Sequence, residues 1–294
     1  MMTTLWQERP VGVVGLGLIG GSIGLDLMAL GVDVRGLVHR QATAERARQR
    51  GLARQVSTDP GVLTGCALVL LALPLDQLLD PSPDLLAALP KEAVIADLAS
   101  VKAPVLAAWE PLVPRFVATH PMAGTAAAGV EAGLPNLFCG RPWVATPTGH
   151  TDPEALAQIR ALAGAIGGRW LECDAQEHDR AVALISHLPV LVSAALLRAA
   201  QRGAEAAPHG AMPQLVRALA SSGFADTTRV GGGNPELGTL MARSNRAAVA
   251  EALGHYRQAL DGLEALLERQ DWDGLAKELE GCRALRPEFL CPPA

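Results

Sequence analysis

The side chains in this sequence that combine reactive chemistry with a usable position fall in a few short segments. The run Phe116-Val117-Ala118-Thr119 leads into His120-Pro121-Met122-Ala123-Gly124-Thr125. A histidine at the end of an apolar run, with proline fixing the next turn and glycine permitting an unusual dihedral, is a held imidazole. With an unperturbed pKa of about 6.5 it can take a proton near neutrality; the competing reading is a structural histidine. Thr125, which closes this segment, is a further candidate for substrate contact. The stretch DAQEHDRAVALISHLPV (174–190) carries two more histidines, and His187 lies eight residues after Asp179, on roughly the same helical face. Pro189 removes one helical donor and is expected to bend the helix near His187. A histidine satisfied within a helix bundle is the bland alternative there. Arg229 ends the polar, glycine-started segment GFADTTR (223–229), expected to lie between apolar helices. Its guanidinium is a natural bidentate partner for a substrate carboxylate, against the simpler reading of a surface ion pair. The segment DLASVK (97–102) follows a short apolar strand, so its polar groups fall at the carboxyl end of a sheet, where α/β folds bind ligands.

These residues need a frame. From residue 10 to about 173, short apolar runs (11–14, 32–38, 67–72, 94–96, 116–118, 143–145 and 170–171) alternate with helical stretches at 19–30, 43–50, 104–109 and 153–166. Each run is too short for a helix, and several are followed by Gly, Pro or Asp. Strands alternating with helices predict βαβ units, hence a mostly parallel sheet covered on both faces. From residue 174 the strand signals stop. Asp174 with Glu177 forms a capping box for a long helix through residue 201. Further helical stretches run over 212–222, 236–268 with a break, and 272–284. The expected fold class is α/β: a doubly wound, mostly parallel sheet over 1–173, then an all-helical domain over 174–294 whose apolar faces need a partner.

The sharpest motif opens the first domain: Gly15-Leu16-Gly17-Leu18-Ile19-Gly20, preceded by the β-branched run Val11–Val14 and followed by a helical stretch. In that context G-x-G-x-x-G reads as a dinucleotide cradle, the alternative being a glycine-rich turn that binds nothing. Gly15 would permit the tight turn, Gly17 would let the backbone approach a pyrophosphate, and Gly20 would let helix pack on sheet. Leu18, together with Leu73 and Pro74 after the 67–72 run, adds candidate cofactor contacts. NAD-binding folds place an acid at the tip of the second strand, about 20 residues on. Here that tip reads His39-Arg40-Gln41. Arg40 can grip a 2′-phosphate that an acid would repel, and His39, Gln41 and Thr43 can add hydrogen bonds. One charge-assisted bond is worth about 1.5–3 kcal/mol, enough for tenfold discrimination. The expectation is NADP over NAD; Arg40 as a solvated surface charge is the alternative. No metal site is expected.

Composition narrows the rest. The 294 residues carry 25 Lys+Arg against 30 Asp+Glu, a formal charge of −5, and 49% hydrophobic residues. That excludes a disordered chain and a disulfide-stapled miniprotein, and argues against nucleic acid as the main partner. Cys66, Cys139, Cys173, Cys282 and Cys291 are odd in number and form no C-x-x-C, which suits free thiols in a reducing compartment. Residues 1–10 have neither a basic start nor an apolar core. The run 66–75 is about half the length of a membrane helix. The longer run 181–197 is interrupted by Ser186, His187, Pro189 and Ser193, and reads as a buried or interface helix. The expectation is a soluble, cytoplasmic protein with no membrane partner.

Together these segments resemble the prephenate/arogenate dehydrogenase family of tyrosine biosynthesis over roughly residues 10–279. The markers, in order, are GLGLIGGS (15–22), DLASVK (97–102), HPMAG (120–124), PWVATP (142–147), EHDRAVALISHLP (177–189), GFADTTR (223–229) and GGNPELGTLMARSNRAAV (232–249). The resemblance implies a Rossmann-type first domain and oxidative decarboxylation. Hydride leaves the ring carbon bearing the 4-hydroxyl for nicotinamide, and the ring carboxylate leaves as CO2. It also implies roles. His120 would accept a hydrogen bond or proton from the 4-hydroxyl, Ser100 would orient it, Arg229 would bind a substrate carboxylate, and His187 would line the pocket. Gly15, Gly17, Ile19 and Gly20 would hold the pyrophosphate and Arg40 the 2′-phosphate. The helical domain would form the core of a homodimer. Val190 stands where some members carry a second histidine, which with the NADP-type strand tip resembles the arogenate-preferring branch. Arogenate is therefore ranked before prephenate as the small-molecule substrate. A β-hydroxyacid dehydrogenase or imine reductase would not explain HPMAG followed by SHLP and DTTR. A non-catalytic NADP sensor has no need of a base at the nicotinamide end.

Overall fold

The structure, a computed structural model, describes residues 5–125, 127–207 and 210–290. They fall into two compact units, 1–246 and 247–294. In the first, α1 (Leu5–Glu8) precedes β1 (Val11–Val14), and α2 (Leu18–Ala29) leads to β2 (Val34–Leu37). Helix α3 (Gln41–Gln49) leads to β3 (Gln55–Ser57), and a 3-10 turn at Pro60–Leu63 leads to β4 (Leu68–Leu71). Helices α4 (Leu75–Leu79) and α5 (Pro83–Ala88) precede β5 (Val94–Asp97), and α6 (Ala103–Trp109) precedes β6 (Phe116–Val117). The strands lie in the order β3-β2-β1-β4-β5-β6 and every pair is parallel. This is the doubly wound Rossmann arrangement expected from the alternation of runs. All residues of β1, β4 and β5 are buried, as central strands covered on both faces require. One face packs Val13, Ile23, Leu27 and Leu70 in a core that extends to Phe138 and Trp143. The other packs Val69, Leu71, Val105 and Trp109, with Trp109 stacked on Phe116 at 5.7 Å.

Two departures from the sequence reading have clear causes. Strand β3 has three residues, one of them buried, too little periodicity to read as a strand. The runs near 143 and 170 do not extend the parallel sheet; β7 (Thr119–Pro121), β8 (Pro142–Ala145) and β9 (Arg169–Glu172) form a second sheet in which β7 and β8 are antiparallel. Helix α7 (Pro153–Ala165) joins β8 to β9. The chain changes sheet at Ala118 because Asp97, at the end of β5, intercepts it. The Asp97 carboxylate accepts the Thr119 N–H at 3.0 Å and its carbonyl accepts the Thr119 hydroxyl at 2.6 Å. A side chain thus takes the donor that a continuing ladder would use, and β6 ends.

The rest of the unit is helical. Asp174 caps α8 (Ala175–Val182), accepting the Gln176 and Glu177 N–H groups at 2.8 and 3.2 Å. A π-turn at Ala183–His187 joins α8 to α9 (Leu188–Ala206), making one continuous helix. Among the described residues this helix alone is long and apolar enough to cross a bilayer by length and composition, and its Leu184, Ile185 and Leu196 are exposed. Then come α10 (Met212–Leu219), α11 (Ser222–Thr228) and α12 (Pro235–Ser244). The segment before Arg229, expected as a polar stretch between apolar helices, is itself helical. The Thr227 and Thr228 hydroxyls donate to the Gly223 and Phe224 carbonyls one turn back at 2.8 and 2.5 Å, so its polar groups are satisfied inside the helix. The expected break in the next stretch falls at Asn245. Helix α13 (Arg246–Glu268) runs into the second unit, where it is followed by α14 (Trp272–Leu290). Asp271 caps that helix by accepting the Gly274 N–H at 2.9 Å.

Candidate active site

At the carboxyl end of β1 the chain turns through Gly15, whose φ is +90°. Any Cβ there would sit 2.4 Å from the Ala72 carbonyl oxygen at the end of β4. One turn into α2, a Cβ on Gly20 would lie 2.0 Å from the Gly15 carbonyl oxygen. Both glycines are dictated by close approach of backbone to backbone. Gly17, the N-cap of α2, differs: nothing lies within 4 Å of the position its Cβ would take. The first turn of α2, whose N–H groups have no acceptor among the described residues, therefore begins beside open space at Gly17, above the crevice between β1 and β4 where the winding of the sheet reverses. That is a fit for a dinucleotide pyrophosphate. Leu18 and Ile19 are half-buried in the same turn, and Leu73 and the exposed Pro74 follow β4 beside it. At the tip of β2, His39, Arg40 and Gln41 are exposed and Thr43 is half-buried, with Arg40 at the N-cap of α3. Because β1 and β2 are parallel and in register, this tip and the glycine turn leave the sheet by the same edge.

Two strands along that edge, the acid–base chemistry is built around Asp97. Its carboxylate receives the Ala99 N–H at 2.9 Å and the Lys102 ammonium, which also donates to the Thr119 carbonyl. The Lys102 side chain is 0% exposed, so a residue type normally on the surface is here an internal brace between β5, α6 and β7. Burial pushes the Asp97 carboxyl up and Lys102 down, while their mutual attraction works the other way. Ser100, half-buried in the turn that this brace fixes, makes no side-chain hydrogen bond among the described residues.

One residue beyond Thr119, His120 meets α8. Its Nδ1 lies 3.0 Å from His178 Nε2, the two rings edge to face. His178 Nδ1 lies 2.8 Å from Asp179 Oδ1. Asp179 also accepts the Lys102 and Ala103 N–H groups, at 2.7 and 2.9 Å, and so caps α6. Facing a carboxylate oxygen, the neutral form of His178 carries its proton on Nδ1 and offers the Nε2 lone pair. His120 then donates from Nδ1, and its own Nε2, without a partner among the described residues, is the acceptor that remains. Burial first, then the neighbouring His178, Lys102 and His187, hold the His120 pKa well below the usual histidine range. The imidazole is therefore neutral, and available as a base, throughout the neutral pH range.

His187 closes the cluster from the π-turn, where the Leu188 N–H reaches back to the Ala183 carbonyl. The turn absorbs one extra residue, so the eight residues from Asp179 to His187 cover close to two helical turns and both face the same side. Asn245, between α12 and α13, reads that alignment. Its amide donates to the Asp179 carbonyl at 2.6 Å and lies 3.3 Å from His187 Nδ1. His187 is 2% exposed, its Nε2 has no partner among the described residues, and burial pushes its pKa down to about 4. Pro189, without an N–H, leaves the Ile185 carbonyl without its helical donor and so accommodates the π-turn.

The structure thus brings His120 and His187 into one hydrogen-bonded cluster and places Ser100 in the turn beside it. Arg229 stands apart: exposed, and making no hydrogen bond or ion pair among the described residues. The turn after it is tied to α9 through the Gly231 N–H and the Ser193 hydroxyl at 2.8 Å. Thr125 is exposed and accepts the Ala127 N–H at 3.2 Å, with no bond to the cluster. The residues that sequence reasoning missed are His178, Lys102 and Asn245. The His178-Asp179 pair was the available signal, since adjacent acid and imidazole can turn one polar link inward.

With this geometry in view, comparison with known proteins is decisive. The family model for the prephenate dehydrogenase nucleotide-binding domain matches residues 23–172, and that for the prephenate dehydrogenase dimerization domain matches 174–281. The chain belongs to the prephenate/arogenate dehydrogenase family. A cyclohexadienyl dehydrogenase of Zymomonas mobilis is 30% identical to it over 95% of both chains. The crystal structure of Synechocystis arogenate dehydrogenase is 41% identical, with a TM-score of 0.79 over 95% of this chain and 99% of that one. Prephenate dehydrogenase from Aquifex aeolicus, in complex with hydroxyphenyl propionate and NAD+, is 26% identical, with a TM-score of 0.87 over 96% and 98%. His120 lies in the stretch matched by the nucleotide-binding model, and the His178–Asp179 pair reaches it from the stretch matched by the dimerization model.

Proposed function

We propose that this dehydrogenase carries out the NADP-dependent oxidative decarboxylation of arogenate to tyrosine. The observation that carries the reading is the free Nε2 of His120, a neutral acceptor on a buried polar chain at the sheet edge that also holds the glycine cradle. Bound NADP supplies the hydride acceptor. His120 takes the proton of the 4-hydroxyl as the ring carbon is oxidised, and Ser100 orients that hydroxyl from the β5–α6 turn. Once the ring carboxylate has left, His120 returns the proton to the phenolic oxygen, so the imidazole ends each turnover as it began. Arg229, exposed and unpaired among the described residues, grips a substrate carboxylate with its planar fork. His187, held neutral, lines the pocket without adding a cation.

Arogenate is favoured by the 41% identity to an arogenate dehydrogenase and by Val190 in place of a second cation near the side chain. NADP is favoured by the exposed Arg40 and the absence of an acid at the β2 tip. Prephenate is the second substrate, supported by the likeness to the Aquifex enzyme. The exposed apolar side chains Leu184, Ile185, Leu196, Leu215 and Leu219 are covered by a second copy of the chain.

Incubating purified protein with each acid and each cofactor, while following reduced nicotinamide and aromatic product, tests this directly. The highest kcat/KM is expected for arogenate with NADP, and His120→Asn should abolish turnover while NADP binding survives. Comparable kcat/KM for the two cofactors, or an active His120→Asn protein, overturns the corresponding part.

A further inference from the structure

We infer that His178, held by Asp179, is the residue that positions His120 for catalysis, by locking its neutral ring with the proton on Nδ1 and the lone pair on Nε2. This rests on the reading of His120 as the acceptor of the substrate's hydroxyl proton. A neutral imidazole has two tautomers, and only one places an acceptor at Nε2. The other points an N–H at the hydroxyl and cannot take its proton. His120 cannot choose between them by itself, because nothing on its own strand bonds to its ring among the described residues; its one ring partner is His178 at 3.0 Å.

The lock works because His178 has no freedom either. It is 3% exposed, so water does not compete for its nitrogens, and its Nδ1 faces Asp179 Oδ1 at 2.8 Å. Asp179 in turn is fixed on three sides: by the Lys102 and Ala103 N–H groups on its carboxylate and by the Asn245 amide on its carbonyl. The orientation is thus handed from a carboxylate to His178 and from His178 to His120. The arrangement also handles charge. As the substrate O–H bond breaks, an N–H bond forms at His120 Nε2, and the Nδ1–H contact to His178 becomes charge-assisted. The positive charge spreads over two imidazoles and is balanced by Asp179. When the phenolic oxygen takes the proton back, the pair of rings returns to its starting state, and no further reactant is needed.

Nitrogen-15 NMR of histidine-labelled protein tests the lock without any turnover. His120 in the unmodified protein is expected to show a protonated Nδ1 and an unprotonated Nε2 at pH 8, and H178L should lose that preference. The opposite tautomer in the unmodified protein overturns the inference even if no variant folds. Kinetically, H178L should lower kcat at least about tenfold while KM for the ring acid and Kd for NADP stay within about twofold. H178Q, whose side-chain oxygen can still accept from Nδ1, should recover part of the loss. Unchanged kcat in H178L, or equal losses in H178L and H178Q, overturns it. If the unmodified protein oxidises neither ring acid, the functional reading has failed instead, and the NMR result still decides the tautomer.

Discussion

Acidifying the protein forces a proton onto His187, and the surroundings of that ring resist it. The side chain is 2% exposed, Nδ1 faces the Asn245 amide at 3.3 Å, and Nε2 has no partner among the described residues. Protonation would turn Nδ1 into a donor pointed at another donor. Burial accordingly pushes the folded-state pKa down to about 4, against about 6.5 in an unfolded chain. Between those values the unfolded state binds more protons, so the contribution is complete above pH 6.5 and is lost as pH falls toward 4. The loss is about 2 kcal/mol by pH 5 and about 3 kcal/mol by pH 4. His187→Asn keeps an acceptor near the Nδ1 position but does not titrate. Urea unfolding of both proteins, followed by circular dichroism at fixed protein concentration between pH 7 and pH 5, isolates the effect. Over that range the unmodified protein should lose about 2 kcal/mol more than the variant. Parallel acid profiles would show that His187 is not the group held neutral.

Other perturbations separate cofactor, substrate and fold. Gly20→Ala drives a Cβ to 2.0 Å from the Gly15 carbonyl oxygen and should cost at least about 2 kcal/mol in urea unfolding. Gly17→Ala fills only open space, so unfolding should change by less than about 1 kcal/mol while NADP affinity, followed by fluorescence titration, drops at least about tenfold. Arg40→Ser should raise the Kd for NADP about tenfold and leave that for NAD unchanged, measured by calorimetry. Arg229→Ala should raise KM for the ring acid about tenfold or more without altering cofactor Kd, in steady-state assays at saturating NADP.

Much of the first unit was legible because its strands are central and buried. Runs such as Val11–Val14 and Leu68–Leu71 must be apolar throughout when both faces are covered, and their limits were read to within a residue or two. Gly15 and Gly20 were readable for a related reason, since backbone contact excludes any side chain. The switch between sheets was not, because Asp97 acts on Thr119 across more than twenty residues of sequence, and a lone aspartate at a strand end carries no such message. Lys102 was hidden by its type: a buried lysine looks the same in a sequence as a solvated one. The helical half carried a subtler signal. Eight residues on an ideal helix put Asp179 and His187 on roughly one face, and the π-turn, which no periodicity announced, tightens that alignment. Residues 223–229 read only as a polar segment between apolar helices, because the Thr227 and Thr228 hydroxyls, satisfied inside α11, gave no helical pattern.

Asp179 has two employments that cannot be separated. The same carboxylate that steadies the His178 imidazole also seals the start of α6, the helix that begins beside Lys102 and Ser100. Loosening it for the sake of a new reaction would unfasten the neighbouring helix, and refastening that helix with another residue would leave the paired rings unguided. Drift toward other ring acids therefore has room at Arg229 and around Val190, whereas position 179 is pinned by cohesion and chemistry at once.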